Sequence, residues 1–444
     1  MLTPTDHDLL LALLALPTAG PLEQPGAVPE LWAAQHRYAE AAADLGFAVL
    51  RHDTPDPAWT ELPDVPQPVR TAGADPAFLA DQPSLLLGLG AAVARERTVM
   101  FNVHLDTVAG ELPVRRDGDT FHGRGAVDAK GPAVALLAGL RAALAERPAL
   151  TERVRVLVQA VAGEEGGALG TIGTRPLVAA GHFGRLNVFC EPTGNRALTN
   201  CTAAMTARIE VRGQDAVDDR PAAGHNATVL LGFLAQYLAG AINPCPGRLC
   251  VAGLHTGHLH NRVYGQGELL LNLAYPDPAT AERLERAVTE GLAAGLAAFA
   301  ERFAATPLLA RTAVDAAAIT HLHWLKRGLP ALTEAGTELP WLTRLLAAAG
   351  IERWPAGEPG FTCDAIWLAG KPGAATVVLG PGTLAGNNAH ADGEFVRLAE
   401  LTAFARSVAD LLLAFDSATG PAPAAPAVPS QSAAIPQEAR PACR

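Results

Sequence analysis

Four short apolar runs, at residues 98–103, 154–161, 186–190 and 375–379, lack the polar alternation of a half-exposed strand. They predict strands buried on both faces. Between them, the spacing of Ala133, Val134, Leu137, Leu140 and Leu144 predicts a helix with one apolar face. Strands alternating with helices indicate an α/β domain built on a mostly parallel sheet. The middle of the chain reads differently. Residues 202–212 alternate like an exposed antiparallel strand, 227–238 have helical spacing, 268–273 predict another strand, and an Ala/Leu-rich helix covers roughly 280–303. This order predicts a small α+β domain inserted into the α/β one. The α/β texture resumes after Thr320 and continues to about Phe415. Residues 417–444, rich in Pro, Ala and Ser, are expected to form a disordered tail.

Leu9 to Leu16 form an apolar run that could be confused with a signal peptide. No Lys or Arg precedes Arg37, and Asp6 and Asp8 flank the run, so a core-packed first helix is expected instead. No apolar stretch is long enough to span a membrane.

Composition narrows the picture. A chain of 444 residues with 49% hydrophobic and 18% charged residues can bury more than one core. Its formal net charge of -11 provides no basic field to gather nucleic acid. The six cysteines, Cys190, Cys201, Cys245, Cys250, Cys363 and Cys443, form no CxxC pair and suit the reduced thiols of a cytoplasmic protein.

Five segments carry metal-ligand chemistry, and four of them directly follow an expected strand, where open α/β sheets bind ligands. In FNVHLDTV (101–108), His104 and Asp106 stand two apart, so extended chain would turn both to one place, the carboxylate supporting the imidazole. HxD alone also reads as a strand-end histidine beside a solvated acid. In GRGAVDAKG (123–131), Asp128 falls in the turn that opens a helix. Its two oxygens could bridge two cations about 3.5–4 Å apart, or it could serve as a helix cap. In AVAGEEGGALGT (160–171), Glu164 and Glu165 would point opposite ways, one to hold a metal and one to activate water. Glu191 in VFCEPTG ends a strand before Pro192, and His390 lies in the Gly/Asn-rich loop of VVLGPGTLAGNNAHADGEF (377–395). Two divalent cations would bring four positive charges. Asp128, Glu165, Glu191 and a shared hydroxide would balance them, with His104 and His390 as neutral donors. Such nitrogen and oxygen ligation suits zinc, with cobalt or manganese as alternatives.

These five ordered motifs resemble those of the di-zinc metallopeptidase family that includes acetylornithine deacetylase, succinyl-diaminopimelate desuccinylase, aminoacylase and glutamate carboxypeptidase. The resemblance covers nearly all of the chain before Ser417. It implies that His104 and Glu191 bind one metal, Glu165 and His390 the other, and Asp128 bridges both, with Asp106 in support. It implies a hydroxide held by the metals as nucleophile and Glu164 as general base, cleaving the amide bond of an N-acylated amino acid or dipeptide-like substrate. It also implies an inserted lid over residues 196–316, with the catalytic domain formed by 1–195 and 317–416, and a homodimer joined through that lid. Two other readings share the site: a metal-binding module without turnover, and a biosynthetic enzyme that transfers acyl groups or forms amides.

The chain departs from the family pattern twice. Relatives carry a lid histidine that stabilises the oxyanion, where this chain has Val217. A lost oxyanion donor costs about 10²–10³ in rate. The His-rich loop GLHTGHLHN (253–261) offers His258, His260 and Asn261, and His225 lies nearby, so these are the candidate substrate-binding residues. Relatives also often place a carboxylate-binding Arg where this chain has Ala274, and Arg262, Lys326 and Arg327 are the candidate substitutes.

Overall fold

The computed structural model describes residues 2–334 and 338–420. Its ten longer strands are, in chain order, β1 (Ala48–Asp53), β2 (Ser84–Leu89), β3 (Thr98–His104), β4 (Arg155–Val161), β5 (Leu186–Phe189), β6 (Ala203–Arg212), β7 (Arg248–His255), β8 (Gln266–Tyr275), β9 (Thr320–Lys326) and β10 (Ala375–Val378). The helices that matter below are α1 (Pro4–Leu14), α2 (Lys130–Glu146), α3 (Ala227–Ala241), α4 (Pro278–Phe303) and α5 (Leu398–Thr419).

Six strands form the main sheet in the order β1-β2-β4-β3-β5-β10. β4, β3, β5 and β10 pair in parallel, and β2 runs against its neighbours on both sides. The apolar runs become these strands because both faces are covered: all seven residues of β3 are buried. On one face, α2 packs against α5 and contributes Val134, Leu137 and Leu140, with Phe404, Val408 and Leu411 from α5. The first apolar run is α1, capped by Thr3 and Asp6, with Leu10, Leu13 and Leu14 in the core. The parallel arrangement brings the carboxyl ends of β3, β4, β5 and β10 to one edge of the sheet. All five motif segments lie at that edge or in the loops beside it.

The inserted domain is a four-stranded antiparallel sheet, β7-β8-β6-β9. β6 alternates from Met205 onward, and one face carries the buried Ala203, Met205, Ala207, Ile209 and Val211. That face packs beneath α3 and α4 through Leu230, Leu234, Leu238, Leu284, Val288 and Phe299. Ala204, Thr206, Arg208 and Glu210 occupy the other face.

Two expected boundaries shift. The lid was expected to end at residue 316, yet β9 pairs with β6 and completes the lid sheet. The polar string Thr-His-Leu-His-Trp-Leu-Lys hides this, because β9 is an edge strand whose partner lies more than a hundred residues earlier. The last helix runs on through Thr419, past the expected end at 416, because Asp416 and Leu412 are still buried. Residues 421–444, most of the expected tail, lie outside the described residues. The described cysteines are free thiols, and no described helix is long and apolar enough to cross a membrane.

Candidate metal centre

His104 closes β3. Its Nδ1 lies 2.9 Å from the backbone carbonyl oxygen of Asp106 and 3.7 Å from the Asp106 carboxylate. The expected carboxylate support is therefore replaced by a carbonyl, because the chain turns directly after the strand. The Asp106 carboxylate instead accepts from the Glu165 backbone N–H at 3.0 Å, tying the β3 loop to the β4 loop. A carbonyl only accepts, so Nδ1 carries the proton and Nε2 presents its lone pair.

That Nε2 faces Asp128 Oδ1 at 3.0 Å and Glu191 Oε1 at 3.7 Å. The second Asp128 oxygen lies 3.2 Å from His390 Nε2, and His390 Nε2 lies 3.1 Å from Glu165 Oε1. One carboxylate thus faces two histidines, one with each oxygen. Lone pairs this close repel unless a proton or a metal ion lies between them. Two donors about 2.0–2.2 Å from one tetrahedral ion stand roughly 3.3 Å apart, in the range seen here. One atom each from His104, Asp128 and Glu165 already falls within 4.8 Å of the others. The donor set fits a pair of cations, one among His104, Asp128 and Glu191 and one among Asp128, Glu165 and His390.

The local electrostatics favour positive charge. Burial opposes charge on His104, but Glu191 and Asp128 hold its pKa well above the ordinary range. Hydrogen bonding to Asp128 and Glu165 raises His390 to about 10. Burial raises Glu165 to about 7 and also lifts Glu191. Asp128 is buried too, but contacts with both histidines hold it well below the usual carboxylate range.

Asp128 does not cap a helix: α2 opens after Ala129 with no side-chain cap. Its position is fixed by Glu394, which sequence reasoning missed. Buried Glu394 accepts from the N–H groups of Val127 at 3.0 Å and Asp128 at 3.4 Å, and from Arg124 at 2.8 Å. Its place four residues after His390 in the same segment was the available signal. Lys130 donates to the Leu16 carbonyl at 2.9 Å, and burial lowers its pKa to about 7. His390 itself is exposed on one side and adopts φ 61°. That left-handed conformation is uncommon for a residue with a Cβ and recurs at functional sites.

Glu164 and Glu165 lie in a turn beyond β4, not on extended chain. Burial, with added repulsion from Glu165 and Asp364, raises Glu164 well above the carboxylate range. Asp364, a second omission, is fully buried and accepts from Thr174 Oγ1 at 2.5 Å, and Asn102 donates to that Thr174 at 3.0 Å. It shapes the Glu164 loop: Gly170 has φ +62°, and a Cβ there would lie 2.4 Å from the Asp364 carboxyl group. An acid inside the apolar stretch TCDAIWLAG was the overlooked cue.

The lid histidines part company. His225 is buried: its Nδ1 accepts from the Gln214 N–H at 2.8 Å and its Nε2 faces Asp315 at 3.0 Å. Both nitrogens are engaged within the lid, so His225 is not an oxyanion donor. His258, His260 and Asn261 are exposed on the lid loop and have no hydrogen bond to the metal cluster. Val217 is 57% exposed, paired with Arg262 on a short ribbon.

The sequence model described as peptidase family M20/M25/M40 matches residues 100–414. A LysW-lysine/LysW-ornithine hydrolase of Aeropyrum pernix is 34% identical over 176 residues, covering 39% of this chain and 47% of that protein. A hydrolase of the same name from Pyrobaculum aerophilum is 44% identical over 73 residues, covering 16% and 19%. The chain thus matches less than half the length of these relatives. Among solved structures, a Staphylococcus aureus tripeptidase aligns with TM-score 0.65 at 16% identity, over 93% of this chain and 98% of that one. Human carnosine dipeptidase 1 aligns with TM-score 0.62 at 15% identity, over 93% and 97%. These two likenesses establish the shared fold.

Proposed function

Because the chain belongs to peptidase family M20/M25/M40, we propose that it is a two-metal amidohydrolase that cleaves the amide bond of an N-acylated amino acid or dipeptide-like substrate. The observation that carries this reading is the Asp128 carboxylate facing His104 with one oxygen and His390 with the other. The names of its relatives agree, since a LysW-lysine hydrolase, a tripeptidase and a dipeptidase all act at amide bonds.

Zinc is the metal proposed, because two imidazoles and three carboxylates at these separations suit it. A bound pair of such cations would polarise the scissile carbonyl and acidify water. The chain supplies the rest. Glu164 takes the proton of the attacking water and passes it to the leaving nitrogen. It adjoins Glu165 in the turn beyond β4, which places a carboxylate beside the proposed metal site to carry a proton between the two steps. Asp106 and Glu394 hold the loops that carry Glu165 and Asp128. His258, His260 and Asn261 remain the lid side chains proposed to meet the substrate oxygen, and a homodimer through the lid in the cytoplasm is the proposed setting.

The test is a hydrolysis assay on a panel of N-acyl amino acids and dipeptides, with the protein supplied with Zn²⁺, Co²⁺ or Mn²⁺. Release of free amine with at least one metal is expected. A panel left intact with all three would overturn the reading.

A further inference from the structure

His36 and His52 form a pair outside the donor set around Asp128. His36 stands exposed on the helix Leu31–Ala43, and His52 lies half-buried on β1. Their ring centres are 4.8 Å apart, with the planes at 66°. His36 Nδ1 lies 2.7 Å from the Trp32 carbonyl oxygen, so it carries the proton and Nε2 holds the lone pair. His52 Nε2 faces Gln35 Oε1 at 2.9 Å. Gln35 is fully buried, and its amide nitrogen donates to the carbonyls of Pro83 at 2.7 Å and Ala160 at 3.1 Å. That fixes the amide with its oxygen toward His52. The oxygen only accepts, so His52 Nε2 carries the proton and Nδ1 holds the lone pair. Among the described residues, neither lone-pair nitrogen has a hydrogen-bond partner. Trp32 lies beside both rings, its centre 6.1 Å from His36 and 4.6 Å from His52. Its own Nε1 donates to the Ala80 carbonyl at 2.9 Å.

An imidazole that binds a metal has its second nitrogen hydrogen-bonded to an oxygen, which sets the tautomer and the ring orientation. Both rings here meet that requirement. Imidazoles bound to one ion through nitrogens about 2.0–2.1 Å away have ring centres about 4.5–5.2 Å apart. The observed 4.8 Å falls within that range. We propose that His36 Nε2 and His52 Nδ1 bind one copper(II) ion, with water in its remaining positions. Among the divalent first-row ions, copper binds nitrogen donors most tightly, and its tetragonal geometry accepts two imidazoles and water. Zinc stands lower in that order and, with only two protein donors, is held weakly here. Burial and the neighbouring His36 lower the His52 pKa, so this imidazole is neutral and able to bind at pH 7.

The test titrates copper(II) chloride into the full-length protein already supplied with zinc, followed by calorimetry and by tryptophan fluorescence. The first equivalent should bind without releasing zinc and should quench fluorescence, because the ion lies beside Trp32. Trp32→Phe should lose most of that quenching. Electron paramagnetic resonance at one equivalent should show coupling to two imidazole nitrogens. Loss of an outer support for a ligand costs about 10–100-fold in affinity, so loss of a ligand itself should cost at least that. His36→Ala and His52→Ala should each weaken the first copper by this amount, whereas His258→Ala and His260→Ala should leave it unchanged. His36 is exposed, so its variant separates loss of the site from loss of the fold. A first equivalent bound equally tightly by wild type and His36→Ala would overturn the proposal. So would copper that displaces zinc, or quenching that persists in Trp32→Phe.

Discussion

His104 Nδ1 is held by the backbone carbonyl of Asp106 at 2.9 Å, closer than the same residue's carboxylate at 3.7 Å. The backbone thus sets the imidazole tautomer, and the Asp106 side chain is free to anchor the Glu165 loop. Asp106→Asn keeps an oxygen for that anchor, and metal affinity should fall less than tenfold. Asp106→Ala removes the anchor and should cost about 10–100-fold in affinity. Competition with a chelating dye measures both. Equal losses would mean that the carboxylate charge matters more than the anchor.

Glu164 is assigned to proton transfer and not to metal binding. Glu164→Gln should lower kcat by about 10²–10⁴ while leaving metal content unchanged. Turnover by single-substrate kinetics and metal by elemental analysis separate the two roles. A variant that loses metal along with activity would make Glu164 a ligand.

His225 is assigned to the lid core. His225→Ala leaves the Gln214 N–H without its acceptor and should cost about 1–3 kcal/mol in stability. His258→Ala and His260→Ala, at exposed positions, should leave stability within about 0.5 kcal/mol. Urea melts of the three variants check this ordering.

Asp416 joins the end of α5 to Arg147 and Arg153, each at 2.6 Å. The hydrogen bond from Arg153 is the largest influence on its pKa, which lies below the ordinary value. A carboxyl group depressed by folding contributes stability above its unfolded pKa, about 4, and loses it as pH falls through the lower folded value. Asp416→Asn should therefore destabilise the protein by about 1–3 kcal/mol at pH 7, with a smaller difference from wild type below about pH 4. Denaturant melts at pH 7 and pH 3.5 test the sign. A gap that widens in acid would contradict it.

Much of this architecture was legible in the chain because its cues are local. β3, β4, β5 and β10 are covered on both faces, so each reads as an unbroken apolar run. Ligands at strand ends stand out as acids and histidines where apolar sequence stops. What stayed hidden depends on distant partners. β9 joins the lid only through pairing with β6, and its histidines and lysine disguise it as surface. His225 could be removed from the candidate donors only once Asp315, 90 residues away, was seen to face it. Glu394 and Asp364 act through backbone N–H groups and a threonine hydroxyl, which no spacing announces.

Asp128 is proposed to join two cation sites. Elemental analysis of the purified protein, dialysed and then resupplied with Zn²⁺, tests it most directly. Two zinc ions per chain are expected in the wild type, about one in His390→Ala, and none in Asp128→Asn. A wild-type protein that takes up no metal, or an Asp128→Asn variant that keeps both ions, would contradict it.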